Sequence, residues 1–291
     1  MTVPARPTPL FADIADVSRR LAETGYLPDT ATATAVFPAD RLGKPLLVEG
    51  PAGVGKTELA RAVAQATGSG LVRLQCYEGV DEARALYEWN HAKQILRIQA
   101  GSGDWEATKT DVFSEEFLLQ RPLLTAIRRT EPTVLLIDET DKADIEIEGL
   151  LLEVLSDFAV TVPELGTLTA TRAPFVLLTS NATRELSEAL KRRCLYLHID
   201  FPTPELERRI LLSRVPELPE HFAEELVRII GVLRGMQLKK VPSIAETIDW
   251  GRTVLALGLD TIDDAVVAAT LGVVLKHQSD QQRATGELRL N

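Results

Sequence analysis

A glycine-rich stretch, GPAGVGKTELA, runs from Gly50 to Ala60 and fits the phosphate-loop pattern G-x-x-x-x-G-K-[ST]. Glycines let the backbone turn around a triphosphate so that its N–H groups point inward, and the following helix presents its positive end to the same anion. Lys56 is placed to reach the β- and γ-phosphates of ATP, and the Thr57 hydroxyl to bind Mg²⁺. The alternative is a turn that only caps a helix. We predict nucleotide binding by nine consecutive residues: Gly50, Pro51, Ala52, Gly53, Val54, Gly55, Lys56, Thr57 and Glu58.

A second motif, VLLIDETDK at 134–142, places two acids directly after an apolar run. In a parallel sheet the run delivers Asp138 to the edge where ligands gather, and there we expect it to hold Mg²⁺ through water. Glu139 leaves the strand end on the other side, where it is placed to polarise a water in line with the γ-phosphate. Two solvated acids ending a strand are the alternative. Together with the upstream loop, this motif predicts a nucleoside triphosphate hydrolase.

Two further groups complete the candidate catalytic set. LLTSN at 177–181 ends another strand, so Asn181 is placed to share the attacking water with Glu139; a turn-forming asparagine is the alternative. EALKRRC at 188–194 puts Arg192 and Arg193 at a predicted helix end. A guanidinium there can enter a neighbouring subunit's nucleotide site and stabilise transition-state charge, and we place Arg193 ahead of Arg192 in this role. The alternative is a pair of solvated helix-terminal cations.

The composition narrows the class of protein. Of 291 residues, 45% are hydrophobic and 25% charged, and the formal net charge of −10 disfavours a nucleic-acid partner. The longest apolar run, 265–275, is shorter than the ~20 residues of a spanning helix, and no signal peptide is visible, so we expect no membrane insertion. Cys76 and Cys194 are far apart, which fits a reducing cytoplasm. Since neither cysteines nor histidines are grouped as ligands, we expect no metal on this chain beyond Mg²⁺.

The elements that must position these residues follow from hydrophobic periodicity. Five apolar runs predict parallel strands separated by helices: 45–49, 71–75, 133–138, 175–180 and 195–199. The helices between them are predicted at 56–66, 81–98, 145–156 and 184–190, with a β-hairpin at 158–170 and a loop at 101–104. The fold class is α/β, a parallel five-stranded sheet sandwiched by helices.

The sequence pattern at the two ends of the chain differs from the alternating strands and helices of its middle. Residues 1–40 form an N-terminal segment with one predicted helix, Phe11–Thr24, and residues 41–202 form the nucleotide-binding α/β domain. Residues 203–277 are predicted to be an all-α lid subdomain, with helices at 206–214, 220–233, 244–257 and 262–277. Residues 278–291 are predicted to be a mobile tail.

The order of phosphate loop, Asp138–Glu139, Asn181, arginine and helical lid resembles that of the AAA+ ATPases over about residues 40–275. Two segments, 73–99 and 150–166, look like those of the MoxR branch, and most like its CoxD-like members associated with molybdenum-dependent CO dehydrogenase-type hydroxylases. This resemblance implies a P-loop NTPase (AAA+) fold with ATP and Mg²⁺ at subunit interfaces of a ring, typically a homohexamer. It also implies a partner with a von Willebrand factor A domain and a metalloenzyme client.

One position departs from the family pattern. The second sensor is usually an arginine near the start of a lid helix, and in VPSIAETIDW (241–250) the matching residue is Ala245. Lys239, Lys240 and Arg252 are the candidate substitutes. Without an arginine at this position the usual contact from the lid to the γ-phosphate is missing, so we expect slow or partner-dependent hydrolysis.

Other roles stay open on the sequence alone. Tyr87, Trp89 and the hairpin around 163–168 either contact a client or, for the two aromatics, pack in the core. Arg121 either faces a neighbouring nucleotide or has no such role. The leading function is metalloenzyme remodelling; the alternatives are a nucleotide-gated assembly adaptor with little turnover and a DNA-directed AAA+ ATPase of clamp-loader type.

Overall fold

The computed structural model describes residues 9–100, 111–259 and 261–288. The predicted loop at 101–104 lies outside the described residues. The described chain divides into two compact units. The first holds the residues up to 24, then 28–49 and 56–198; the second holds 25–27, 50–55 and the residues from 199 onward.

The first unit is built on a five-stranded parallel sheet with the order β2-β5-β8-β1-β9. The strands in the described residues are β1 (Leu46–Glu49), β2 (Gly70–Gln75), β3 (Tyr87–Trp89), β4 (Leu118–Gln120), β5 (Thr133–Asp138), β6 (Ala159–Val162), β7 (Gly166–Thr169), β8 (Phe175–Ser180) and β9 (Leu195–His198). The predicted fold class is confirmed, and the runs at 133–138 and 175–180 form strands with the predicted bounds.

Burial explains why these runs form strands. Every residue of β5 and β8 is buried, as expected for central strands covered on both faces. One large cluster of buried side chains links the sheet to helices that include Pro122–Arg128 and Ile145–Asp157. Other helices among the described residues of this unit are Ile14–Glu23, Thr30–Leu42, Lys56–Thr67, Glu82–Ala85, His91–Ala100 and Glu188–Arg193.

The predicted continuous helix at 81–98 is wrong. The chain forms a short helix, Glu82–Ala85, then β3, then a second helix, His91–Ala100. Strand β3 pairs antiparallel with β4, which lies some thirty residues further on, and Glu88 is opposite Leu119. Because this pairing partner is distant in sequence, local periodicity does not reveal it. The hairpin predicted at 158–170 is present as β6 and β7.

Two other segments differ from expectation. The helix predicted at 184–190 begins later, at Glu188, because Ser187 is its N-cap and Ala182 has a positive φ of 55°. The N-terminal segment contains a second helix, Thr30–Leu42, capped by Asp29. The buried carboxylate of Asp40 in this helix accepts the N–H groups of Leu10 and Phe11, at 2.8 and 3.1 Å.

The second unit contains the predicted helical region. Its helices are Pro204–Arg214, Glu220–Gly235, Ile244–Ala256, Asp264–Val274 and Gln278–Glu287. They share an apolar core around the fully buried Trp250. The last helix lies where a mobile tail was predicted, and its buried Asp280 accepts the N–H groups of Lys239 and Lys240. These hydrogen bonds satisfy the carboxylate and give the segment a defined place in the unit.

Candidate nucleotide site

The phosphate-loop segment has the backbone shape that its glycines permit. Gly50, Gly53 and Gly55 have φ values of 152°, 77° and 99°. A Cβ at Gly50 would lie 1.9 Å from the carbonyl oxygen of Ile199, and one at Gly53 would lie 2.3 Å from Cβ of Ser243. Side chains at these two positions would therefore collide with neighbouring atoms of the second unit. The loop requires glycine for space as well as for φ.

Lys56 and Thr57 begin the helix Lys56–Thr67, directly after β1 and the loop. Lys56 is buried, and its Nζ donates to Oδ1 of Asn181 at 2.8 Å. Burial lowers the pKa of Lys56, and the carboxylates of Asp141 and Asp138 partly oppose this shift. The first and third predicted motifs are thus in direct contact.

Asp138, at the end of β5, is only 2% exposed and has three side-chain partners. Its Oδ1 accepts from the hydroxyls of Thr57 at 2.9 Å and Thr179 at 2.6 Å. Its Oδ2 accepts from Nη2 of Arg73 at 2.5 Å. The carboxylate therefore joins the start of the loop helix to two neighbouring strands, β2 and β8.

Glu139 follows with its backbone in the left-handed region, at φ 56° and ψ 48°. This conformation is uncommon outside glycine, and the bond from its N–H to Thr179 Oγ1, at 2.8 Å, holds it. Its Oε2 accepts from Gln75 Nε2 at 2.9 Å and from Lys142 Nζ at 2.7 Å. The hydrogen bond to Glu139 raises the pKa of Lys142. In this arrangement two donors hold the predicted base.

Asn181 is carried by a turn that two acids hold. Asp141, 3% exposed, accepts the N–H of Asn181 at 3.2 Å and both the N–H and the hydroxyl of Thr183, at 3.0 and 2.5 Å. Ser180 accepts the N–H of Ala182 and donates to Glu49 at 3.1 Å.

Burial opposes ionisation of Asp141, but the hydrogen bonds from Thr183 and from the N–H of Asn181 outweigh it and lower the pKa of this carboxyl. A charged Asp141 thus holds the turn at neutral pH.

Arg192 and Arg193 do not join this cluster. Both are exposed in the last turn of the helix Glu188–Arg193. Among the residues that the structure describes, neither guanidinium has a hydrogen-bond or ion-pair partner. Their charges are therefore available to another molecule.

The residues present fit a magnesium ion. Mg²⁺ prefers oxygen ligands and is usually held by one or two carboxylates together with substrate phosphates. The Thr57 hydroxyl and the Asp138 carboxylate supply such oxygens 2.9 Å apart. Within the described ranges, no group of three or more His, Cys, Asp or Glu side chains forms another candidate metal site.

Several site residues were missed from the sequence. Thr179 contacts both acids of the second motif, and Asp141 lies inside that motif without having been assigned a role. Arg73 and Gln75 lie two residues apart on β2, and the register places Gln75 opposite Asp138. Alternation along β2 was the available signal, since i and i+2 share one face of a strand.

The structure shows the contacts of the residues whose roles the sequence left undecided. Tyr87 and Trp89 are partly buried and pack against the core of the first unit, as the core-packing alternative expected. Arg121 forms an ion pair with Glu88 at 2.8 Å. In the second unit Ala245 is exposed, while Lys240 Nζ pairs with Glu246 at 3.1 Å.

The parallel sheet, the glycine loop at the start of a helix and the acids at the end of β5 define a P-loop nucleoside triphosphatase. Residues 45–194, about half of the chain, match the AAA domain family, dynein-related subfamily. The chain belongs to this family and is an AAA+ ATPase.

Curated relatives support the same class. The chain is 27% identical to the chaperone protein ClpB 1 of Synechocystis sp. over 236 residues, which cover 76% of this chain and 23% of that protein. It is 33% identical to ClpB 2 of Thermosynechococcus vestitus over 152 residues, which cover 51% of this chain and 15% of that protein. The chain thus spans less than a quarter of the length of either relative.

A solved structure shares the fold. RuvB of Thermotoga maritima, in a mutant form, superposes with a TM-score of 0.52 at 19% sequence identity, covering 92% of this chain and 73% of that one. None of the helices in the described residues combines the length and apolar character needed to cross a membrane.

Proposed function

We propose that this chain is a ring-forming ATPase of the MoxR branch that couples ATP hydrolysis to the remodelling of a metalloenzyme. The observation that carries the proposal is the joining of three motifs by two hydrogen bonds, Lys56 to Asn181 and Thr57 to Asp138. These contacts bring the loop lysine, the metal-binding oxygens and the polar strand end to one cluster beside Glu139. Such a cluster matches the needs of phosphoanhydride hydrolysis.

Binding of ATP follows from the loop and from Lys56. Loop N–H groups and the helix N-terminus attract the phosphates, and the Lys56 ammonium moves from Asn181 to the β- and γ-phosphates. Thr57 and Asp138 would hold Mg²⁺, and the ion would supply charge neutralisation on the phosphate oxygens. The lowered pKa of Lys56 rises when the negative charges of the phosphates lie beside its buried ammonium, so binding favours the charged lysine.

Hydrolysis requires Glu139 to leave its present partners. Its carboxylate is held by Gln75 and Lys142, and it must turn toward a water that Asn181 also contacts. Glu139 then accepts a proton as the water oxygen bonds to the γ-phosphorus and the bond to the β-phosphate oxygen breaks. The products are ADP and inorganic phosphate. Release of Glu139 from these two donors is therefore a step at which turnover can be controlled.

A ring places Arg193, or Arg192, in the site of the next subunit. Both are exposed and lack partners among the described residues, which suits a guanidinium that acts on a neighbour. Such an arginine stabilises the charge that develops on the transferred phosphoryl group. We expect a homohexamer, the usual ring of the MoxR branch.

The client and partner follow from the resemblance in residues 73–99 and 150–166. We propose a molybdenum hydroxylase of the CO dehydrogenase type as the client, and a protein with a von Willebrand factor A domain as the partner. Similarity to two chaperone proteins supports remodelling as the output. In this proposal the protein contributes mechanical work, and the residues that the structure describes form no metal-ligand group beyond the proposed Mg²⁺ site.

The second unit favours one alternative, a nucleotide-gated assembly adaptor with little turnover. Ala245 has no charge to offer a phosphate, and Glu246 already pairs with Lys240. A lid that cannot contact the γ-phosphate would slow hydrolysis while leaving ATP-dependent assembly intact.

The experiment is ATP hydrolysis measured against protein concentration, with mass determined by light scattering on the same samples. Turnover that rises together with assembly supports a site shared between subunits. An active monomer contradicts the ring, and an assembled but inactive ring favours the adaptor. Lys56→Ala is the control, because loss of the loop lysine should abolish nucleotide binding in either case.

A further inference from the structure

The Asp138 carboxylate already has a cation. Nη2 of Arg73 lies 2.5 Å from Oδ2, and the same guanidinium donates to the side-chain oxygen of Gln75. Asp138 is 2% exposed, whereas the Arg73 side chain is 43% exposed. The guanidinium therefore lies at the solvent side of a buried carboxylate.

Acids outnumber cations around this position. Lys56 lies within the electrostatic influence of Asp141, Asp138, Glu139 and Glu49. Opposing them are Lys56 itself, Arg73 and Lys142. A buried carboxylate without a nearby cation is costly, so the charge of Arg73 compensates Asp138 when no metal is bound.

A divalent ion approaching Asp138 without nucleotide meets this guanidinium. With Arg73, Lys56 and Lys142 in place, a further +2 has little net attraction to the cluster. A triphosphate adds several negative charges to this cluster, so the attraction for a divalent ion becomes strong. Without Arg73, the four carboxylates face only two lysines, and a bare divalent ion becomes a favourable partner.

We propose that Arg73 is a positioning residue that pairs with the Asp138 carboxylate, so that a divalent cation binds there only together with nucleotide. The inference rests on the proposed ATPase site and adds to it a device that excludes bare metal ions. Gln75 holds the guanidinium in place from the same face of β2.

The test measures Mn²⁺ binding to the full chain without nucleotide, and the electron paramagnetic resonance signal of the free ion reports how much Mn²⁺ is unbound. Wild type should bind Mn²⁺ weakly at this site, and Arg73→Gln should bind it about ten-fold more tightly or better, the scale of removing a charge beside a carboxylate. Arg73→Lys keeps the charge and should resemble wild type. Arg228→Gln, which removes a charge from an exposed ion pair with Glu225, is the matched control.

A second readout is thermal unfolding. Mn²⁺ without nucleotide should raise the melting temperature of Arg73→Gln and leave that of wild type unchanged, because only a ligand that binds the native state stabilises it. The double variant Arg73→Gln/Asp138→Asn should lose both the tighter Mn²⁺ binding and the rise in melting temperature. A purely structural role for Arg73 would lower the melting temperature without changing Mn²⁺ affinity.

Three results would overturn the inference, and they can be distinguished from one another. In the first, wild type binds Mn²⁺ tightly without nucleotide and Asp138→Asn abolishes that binding. In the second, Arg73→Gln binds Mn²⁺ no better than wild type does. Either result means that Arg73 does not exclude the metal, while the proposed metal site is unaffected. If Asp138→Asn leaves Mn²⁺ binding in the presence of ADP unchanged, the metal assignment in the proposed function fails, and the inference fails with it.

Discussion

Glu139 combines a strained backbone with a restrained side chain. The left-handed conformation costs a non-glycine residue roughly 1–3 kcal/mol, and such strain is commonly found at functional sites. Its carboxylate accepts hydrogen bonds from the Gln75 amide and the Lys142 ammonium. Both features suit a base that is held until the reaction requires it.

Glu139→Gln tests this role. Glutamine keeps the polar shape but cannot accept the proton, so we expect ATP binding to persist while turnover falls by about 10²-fold or more. Binding is measured with a fluorescent ATP analogue and turnover by phosphate release. Glu146→Gln, an exposed acid in the first turn of Ile145–Asp157, is the control and should remain active. Near-normal hydrolysis by Glu139→Gln would remove this residue from the mechanism.

Thr183 allows a test of how Asn181 is positioned. Thr183→Val removes the hydroxyl bond to Asp141 but keeps the side-chain volume, so the turn that carries Asn181 loses one of three bonds to this acid. We expect kcat to fall about ten-fold, the equivalent of one hydrogen bond to a charged group, with little change in ATP affinity. Thr183→Ser restores the hydroxyl and should restore kcat. Equal kcat in the valine and serine variants would contradict this role.

At the scale of elements, the phosphate loop depends on backbone shape more than on side chains. Gly50→Ala would place a methyl group 1.9 Å from the carbonyl oxygen of Ile199, so the loop must shift and its N–H groups must lose their alignment. We expect ATP affinity to fall by about 10²-fold, because preorganised donors contribute several hydrogen bonds to the phosphates. Isothermal titration with ATP measures the change.

Gly149→Ala is the matched control for this substitution. Gly149 lies within the helix Ile145–Asp157, and a Cβ there meets no atom within 4 Å. Alanine should therefore stabilise the chain by about 0.5–1 kcal/mol in urea unfolding and leave ATP binding unchanged. Unchanged ATP affinity in Gly50→Ala would contradict the steric argument.

At the scale of the whole molecule, the question is whether one subunit completes the site of another. One chain supplies most of the predicted site: the loop residues, the metal ligands, the base and the polar strand end. Arg192 and Arg193 are exposed and have no partners among the described residues. An ATPase of this class that lacks its arginine should bind ATP normally and turn it over slowly.

Mixing two inactive variants tests action between subunits. Arg193→Ala alone should lose about 10³-fold in turnover with unchanged ATP binding. When mixed with Glu139→Gln subunits, it should regain measurable hydrolysis, because some interfaces then combine an intact base with an intact arginine. Arg192→Ala, mixed in the same way, decides between the two arginines. Mixtures that stay inactive despite assembly would contradict action across an interface.

Much of the fold could be read from local pattern. Strands β5 and β8 have the predicted bounds, because each is an unbroken apolar run whose residues are all buried in the sheet. The loop motif likewise depends on contiguous residues, and its glycines have the φ values that such a turn requires. Where the residues that cause a structure all lie in one short segment, the sequence is sufficient to predict that structure.

From the amino-acid sequence alone we could predict the α/β class, the phosphate loop and the pair of acids at the end of β5, Asp138 and Glu139. Tertiary structure alone decided that Arg73 pairs with Asp138, that Thr179 joins both acids, and that β3 interrupts a predicted helix. The physical reason is the same in each case. These contacts join residues that are about 30 to 65 positions apart in the chain, and strand order and register bring them together. Local periodicity shows only which face of an element is buried.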